Sequence, residues 1–414
     1  MATIGMDFGT SNSLAARVQN GAVNFASFPD GRDSNPTVLY FPPRGKQYFI
    51  GNDGIEHHFD DLDEGRSGGR LMFSIKSLLQ DAKFDHTQVV GHGRMTASNL
   101  VSYFIRRLKE YAEKDFEQFF DRVVLGRPVD FSASAIDRLQ AAAIEAGFNE
   151  VIFCLEPVAA AISYETTITQ QELVCVVDIG GGTSDICIVE VSPTNRLKAD
   201  RAEDIKAVGG ANLAGDELSS CIVKEKLASK FGANSTFVSL GKVLPFPAHI
   251  INKLSRWPLI SRIKNPDDLQ SIAHILVSSS DPQSLARLQI LVNENLGYEL
   301  YKAIENAKFD LSGSTTANIR FSRLGLDERI SRNEFENGGF AVFESIYHSI
   351  VETLAMASVK ASDIRHVLLT GGSSQIPKVQ TMVEDMFGIE KVLRPGYQSS
   401  VASGLAHIAS KFPN

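Results

Sequence analysis

Two short stretches spell one pattern twice. Asp7-Phe8-Gly9-Thr10-Ser11-Asn12 and Asp178-Ile179-Gly180…Thr183-Ser184-Asp185 each run acid, apolar residue, glycine, threonine, serine, then Asn or Asp. The second copy reads with two extra glycines, Gly181 and Gly182. Such a turn gathers three kinds of ligand-binding group. Glycine lets the backbone approach a ligand closely. Successive N–H groups and hydroxyls can surround a phosphate. The carboxylate can hold Mg²⁺ through its water shell, because that ion gives up water reluctantly. Two such turns facing each other would grip a polyphosphate from both sides, with Asp7 and Asp178 on the metal. Gly371-Gly372, between a strand and a helix, offers a third close approach suited to a nucleoside. A single Asp-x-Gly turn is an ordinary turn. The duplication is what points to phosphate binding.

The elements that must position these turns follow from periodicity. Apolar runs at Thr3–Met6, Leu14–Val18 and Ala22–Phe28, with Asn20-Gly21 between the last two, predict an antiparallel meander. Residues 42–95 read as a looser lobe. Leu100, Val101, Phe104, Ile105, Leu108 and Tyr111 predict a helix over about 98–118. Strand Val123–Leu125, a helix over about 134–146 closed by Gly147, strand Val151–Cys154 and an alanine-rich helix from Val158 complete the first half. The second half opens the same way, with strands Leu173–Val177 and Ile186–Val191 around the second turn. Helices are expected near 213–230, 296–311 and 377–387 and over Val401–Lys411, and a strand over Arg365–Thr370. The repeat divides the chain into lobes 1–170 and 171–414, the second with an inserted, mainly helical segment at about 232–294, where Trp257 is expected in a small extra core. The absence of a low-complexity linker suggests two lobes packed around one cleft.

Composition excludes several classes. The 414 residues carry 41 basic and 49 acidic side chains, a formal charge of −8, with 43% hydrophobic and 22% charged residues. That is a globular balance, and a net acidic chain has no general attraction for nucleic acid or anionic lipid. No apolar run reaches the ~20 residues of a membrane span. The N-terminal stretch holds an acid at Asp7 and no base before Arg17, unlike a secretory leader. Four cysteines without a CxxC pair point to a reducing compartment. A cytoplasmic chain without membrane or nucleic-acid partners is expected. His57-His58 with Asp60, Asp61, Asp63 and Glu64 reads as a solvated acidic loop rather than a metal site.

The stretches IGMDFGTSNS, FSIKSLL, LEPVAAAISY, VVDIGGGTSDICIVEV, IENAKFDLS and LLTGGSSQIPKVQ, in that order, resemble the ATPase domain of the heat-shock protein 70 chaperone family. The resemblance covers roughly 1–230 and 296–410. It implies an α/β, two-lobed actin-like ATPase fold of duplicated ribonuclease-H-like domains with a nucleotide cleft between them. It further implies ATP or ADP with Mg²⁺ as cofactors, and client or co-chaperone proteins as partners. Because only the ATPase domain is covered, a stand-alone form without the peptide-binding domain is expected.

Position by position, the resemblance implies the following roles. Gly9, Thr10, Ser11 and Asn12 match the first phosphate loop, and Gly180, Gly181, Gly182 and Thr183 the second. Asp7, Asp178 and Glu156 match carboxylates that hold the metal's water shell. Lys76 matches a lysine that positions the attacking water and γ-phosphate, and Asp185 an acid near that water, so Lys76, Glu156, Asp178, Thr183 and Asp185 form the expected catalytic set. Gly209-Gly210 and Leu213–Glu217 are rival registers for a double-glycine segment. Glu305 and Lys308 match a pair that touches ribose and adenine, and Gly371, Gly372 and Ser373 the adenosine loop. Gln375 stands where the family usually has an arginine stacked on adenine, and Ile136 where it has an arginine that signals between domains. The expected activity is Mg²⁺-dependent ATP hydrolysis coupled to lobe closure. The alternatives are a nucleotide-sensing module with negligible turnover and an actin-like filament former.

Overall fold

The computed structural model describes residues 2–66, 68–198, 201–260, 263, 266–396 and 399–412, with the side chains of Leu197, Trp257, Pro258 and Pro266 outside that description. The expectation for Trp257 therefore lies outside the described residues. The chain forms two compact units. The first comprises Met1–Ala214, Glu344–Gln375 and Val379–Asn414, and the second Gly215–Phe343 and Ile376–Lys378.

In the first unit, β1 (Thr3–Phe8), β2 (Asn12–Gln19) and β3 (Ala22–Phe25) form the expected meander. Its second turn uses Asn20 and Gly21, both at positive φ. Helix α1 (Ala97–Asp115) begins at a capping box in which Thr96 and Asn99 satisfy each other's amides. Leu100, Val101, Phe104, Ile105 and Leu108 form its buried stripe. Next come β4 (Arg122–Arg127), α2 (Ala133–Glu145), β5 (Glu150–Leu155) and α3 (Glu156–Glu165). Ser132 caps α2 by accepting from Ala135 N–H. The second series is β6 (Glu172–Ile179), β7 (Ser184–Val191), β8 (Ile205–Ala211), β9 (His366–Thr370) and β10 (Val392–Leu393), followed by α4 (Ser400–Ala409).

The two sheets share one topology. The first runs β3-β2-β1-β4-β5 and the second β8-β7-β6-β9-β10. In each, the central strand pairs antiparallel with the following strand and parallel with the strand on its other side. Helices α3 and α4 share a core with both sheets, in which Val158–Ile162 and Leu405 meet Val124, Val176 and Leu368. The contact is close: a side chain on Gly404 would overlap the Ala159 carbonyl, and one on Gly5 would begin 2.5 Å from Ala406 N. Helices α1 and α2 cover the first sheet's other face.

The pattern of the repeat needs one correction. Phe8 pairs with Ser13 and Ile179 with Ser184, so each hairpin spans the same four residues, Gly9–Asn12 and Gly180–Thr183. There are no extra glycines. Ser184 is the counterpart of Ser13, and Asp185 that of Leu14 rather than Asn12.

Residues 42–95 are more ordered than expected. Strands Val38–Phe41, Phe49–Ile50 and Arg70–Phe73 form a small sheet, with a helix over Gly51–Asp63. The acids of the His57-His58 stretch thus lie largely on this helix and not on a loop. His58 is buried with its ring against Tyr40 (centroids 5.3 Å apart), and Asp61 accepts hydrogen bonds from Tyr40 Oη (2.5 Å) and Arg66 Nε (2.6 Å).

The second unit carries a helix over Gly215–Ile222, continued by further helical turns to Phe231, and a helix over Gly297–Gly313. It also holds hairpins at Thr236–Ser239/Lys242–Pro245 and Thr316–Phe321/Leu326–Ser331.

Candidate functional site

Each acidic hairpin sits at the end of the central strand of its sheet, and the two meet within the first unit. A side chain on Gly182 would begin 3.1 Å from Thr10 Oγ1. At the roots of the hairpins stand Asp7 and Asp178. Asp178 faces Asp185 directly across β6 and β7.

Lys76 enters from a short 3₁₀ turn, Ile75–Leu79, after Ser74 in the left-handed region (φ 52°). Arg138 of α2 donates to Leu79 O (3.1 Å), which ties that turn down. Lys76 is 2% exposed, and its Nζ donates to Glu156 Oε1 at 2.5 Å between the rings of Phe8 (5.9 Å) and Phe131 (5.8 Å). An amphipathic-helix lysine would be solvated; this one is not. Glu156 opens α3, where the following Pro157 suits the first helical turn.

Four carboxyl groups (Asp7, Glu156, Asp178, Asp185) thus gather around one ammonium. The electrostatics show the shortage of positive charge. Burial, then the Glu156 charge, push Asp7 up to about 7, against the opposing pull of Lys76. Asp185 is also pushed up to about 7 by burial and Glu156, although Thr183, the Val129 amide and Lys76 pull it down. Asp178 is raised well above its ordinary range by burial first, then by Glu156, Asp185 and Asp7. Val129 N–H donates to Asp185 Oδ1 at 2.5 Å.

The donor set is all hard oxygen, as Mg²⁺ requires. Among the described residues no three His, Cys, Asp or Glu side chains converge closely enough to hold an ion directly. These residues fit an ion that keeps its waters, with the carboxylates on the hydration shell.

The third glycine turn joins the same place. Thr370 of β9 pairs with Asp178, and Gly371 follows at φ 82°. A side chain there would overlap Ile179 O and come within 2.5 Å of Asp178 Oδ1, so only glycine fits. Gly372 is exposed, while Ser373 is buried and donates to Gly180 O (2.7 Å). Gly209 and Gly210 lie in β8, opposite Ile186 and Asp185. Gly209 packs on Thr353 and Gly210 on Ser184 O. Gln375 Nε2 reaches Ser374 Oγ at 3.4 Å, and Ile136 packs on the first sheet's core.

Glu305 and Lys308 belong to the second unit. Lys308 Nζ donates to Glu305 Oε1 (2.9 Å), Ser219 Oγ (2.8 Å) and Gly215 O (3.1 Å), which uses all three ammonium protons.

Several supporting groups carry no local signal in the sequence. Thr37 donates through Oγ1 to Gly9 O (2.8 Å) and through N–H to Ser11 O (2.8 Å). The fully buried Ser13 and Ser184 bond Thr37 Oγ1 (2.8 Å) and Leu213 O (2.7 Å). The Val129 amide was equally invisible. Only the Ser13/Ser184 match has a sequence signal, since each serine stands six residues after its acid, Asp7 or Asp178.

The family model described as Hsp70 protein matches residues 3–231 and 275–410. Among curated relatives, the chain is 26% identical over 394 residues to chaperone protein DnaK of Mycoplasmopsis pulmonis, covering 93% of this chain and 54% of that protein. It is 25% identical over 390 residues to DnaK of Mesomycoplasma hyopneumoniae (92% and 53%), and 24% identical over 414 residues to DnaK of Thermosipho melanesiensis (97% and 58%). The chain spans about half the length of the curated relatives it matches. Its duplicated α/β sheets are of the fold class of the two-lobed actin-like ATPases, and with the family model matched along most of its length the chain belongs to the Hsp70 family.

Proposed function

We propose that this chain binds ATP with Mg²⁺ and hydrolyses it to ADP and phosphate, using the nucleotide state as a conformational switch in a chaperone-like role. The observation that carries this reading is the meeting of two glycine hairpins, from duplicated sheets, over a carboxylate cluster short of positive charge.

Phosphoryl transfer needs positioning and charge stabilisation more than covalent chemistry. The amides and hydroxyls of Gly9–Asn12 and Gly180–Thr183 hold the phosphates. Asp7, Asp178 and Glu156 take the hydrated Mg²⁺, which supplies charge neutralisation on the phosphate oxygens. Lys76 bridges Glu156 and the transferring phosphoryl group. Thr183 and Asp185 orient the attacking water, and the Asp185 carboxylate can accept the proton that water releases. Gly209 and Gly210 back this part of the site. Gly371, Gly372 and the Glu305–Lys308 pair serve the nucleoside.

Among the described residues no helix is long and apolar enough to cross a membrane, and the reading places the switch in the cytoplasm. Client and co-chaperone proteins would be its partners. Single-turnover hydrolysis by wild type, Lys76→Ala and Asp178→Asn tests the assignment. Both variants should lose phosphate release, and equal rates in all three would reject it.

A further inference from the structure

In the corrected repeat register, Gly9 and Gly180 occupy the same position of their hairpins, and both carbonyls are held from outside. Thr37 Oγ1 donates to Gly9 O at 2.8 Å, and Ser373 Oγ donates to Gly180 O at 2.7 Å. The two hydroxyls come from unrelated parts of the chain. Thr37 precedes the small sheet of residues 38–73, whereas Ser373 follows β9. Both are buried, at 1% and 7% exposure.

The proton count makes the Thr37 bond directional. A threonine hydroxyl has one proton, and here it goes to Gly9 O, so at the 2.8 Å contact between Ser13 and Thr37 the donor is Ser13. The resulting chain, Ser13 to Thr37 to Gly9 O, has no freedom to reverse. Thr37 also donates its own amide to Ser11 O, so one residue grips two carbonyls of the first hairpin.

In a trans peptide the C=O and the next N–H lie in one plane and point in opposite directions, and among the described residues no peptide bond is cis. Holding Gly9 O therefore turns the Thr10 N–H away from Thr37. Holding Gly180 O turns the Gly181 N–H away from Ser373. Among the described residues neither amide meets a backbone carbonyl.

We propose that Thr37 and Ser373 are paired positioning residues, each clamping the first glycine carbonyl of one hairpin so that the following amide, Thr10 N–H or Gly181 N–H, is aimed at the bound phosphates. The inference rests on the nucleotide reading above, adds Thr37 to it and gives Ser373 a different role. Thr37 is given a role by no motif, and Ser373 acts on the second phosphate hairpin rather than on adenosine.

The test uses the full chain and three probes in the presence of Mg²⁺: ATP, inorganic tripolyphosphate and adenosine. Hydrogen bonds to a charged acceptor support an expected loss of about tenfold in tripolyphosphate affinity for Thr37→Val and for Ser373→Ala. Adenosine binding should be unchanged, and Thr37→Ser should match wild type. Losses confined to adenosine, or equal for adenosine and tripolyphosphate, would overturn the clamp, as would no loss in either variant. The wild-type amide resonances of Thr10 and Gly181 supply a measurement that needs no variant to fold. Both should move downfield on adding tripolyphosphate, and immobility of either overturns the inference. A wild type that binds neither ATP nor tripolyphosphate overturns the nucleotide reading beneath it. Normal wild-type binding with indifferent variants overturns the clamp alone.

Discussion

Asp178 and Asp185 stand directly opposite each other on antiparallel strands, so their carboxyl groups share one face of the second sheet. The matching pair in the first sheet is Asp7 and Leu14. Duplication supplied the hairpin twice, but the second acid exists in one copy only. Like charges opposite each other destabilise a sheet, and burial adds to the cost. The arrangement is therefore a strain on the ligand-free protein that a cation would relieve.

Asp185→Asn should stabilise the ligand-free protein. The Asp185 carboxyl rises from 3.8 to about 7 on folding, so above pH 7 the folded state carries a penalty that the unfolded chain does not. The penalty vanishes as pH falls below the unfolded value. With half the single-group linkage assigned to Asp185, because the neighbouring acids share the cost, the gain is about 2 kcal/mol at pH 7.5. It should shrink steadily towards zero near pH 4. Urea unfolding across that range measures it, and a gain that grows on acidification would contradict the sign.

Lys76→Met removes the partner of a buried carboxylate. Breaking a buried ion pair from one side costs about 3–5 kcal/mol. Lys76→Met should therefore unfold earlier in urea than wild type as well as lose hydrolysis. The double variant Lys76→Met, Glu156→Gln should regain most of the stability and none of the activity. Activity returning with stability would show that the lysine serves folding alone.

Gly371→Ala places a methyl group against Ile179 O and Asp178 Oδ1 at φ 82°. The left-handed backbone alone costs an alanine about 1 kcal/mol or more, and the overlap adds to it. Loss of ATP affinity should exceed tenfold, read by calorimetry. An unchanged affinity would mean that the loop does not shape the site.

Lys308→Met should weaken ATP and adenosine together while tripolyphosphate binding stays at the wild-type value. All three Lys308 protons are committed to Glu305, Ser219 and Gly215, so its effect is to hold the Glu305 carboxylate in place. A matching loss of tripolyphosphate binding would place the pair on phosphate instead.

The elements around the hairpins were legible because their signals are local: alternating apolar residues, Asn20-Gly21 at a turn, the buried stripe of α1. The repeat itself was legible, but its register was misread. Matching Thr10-Ser11 to Thr183-Ser184 by identity demanded two extra glycines, whereas counting residues between the paired positions gives equal hairpins. Lys76 could be placed by resemblance only, since its burial depends on Phe8, Phe131 and the tie from Arg138, all distant in sequence. The hairpin at Thr316–Phe321/Leu326–Ser331 was overlooked although Ala317, Ile319 and Phe321 alternate and Gly325 sits in the turn at φ 62°. The order in 42–95 was hidden because its short strands gain their burial from a sheet that pairs residues as distant in sequence as Val38 and Phe73.

Helix α4 leaves no room for a side chain at Gly404 against α3 or at Gly5 against α4. Strand β1 is thus packed by a helix that follows it about 400 residues later in the chain. At roughly 5–20 residues per second, that partner arrives on the order of half a minute later. Until then the nascent first sheet keeps an uncovered apolar face, and its protection during synthesis must come from something other than the finished molecule.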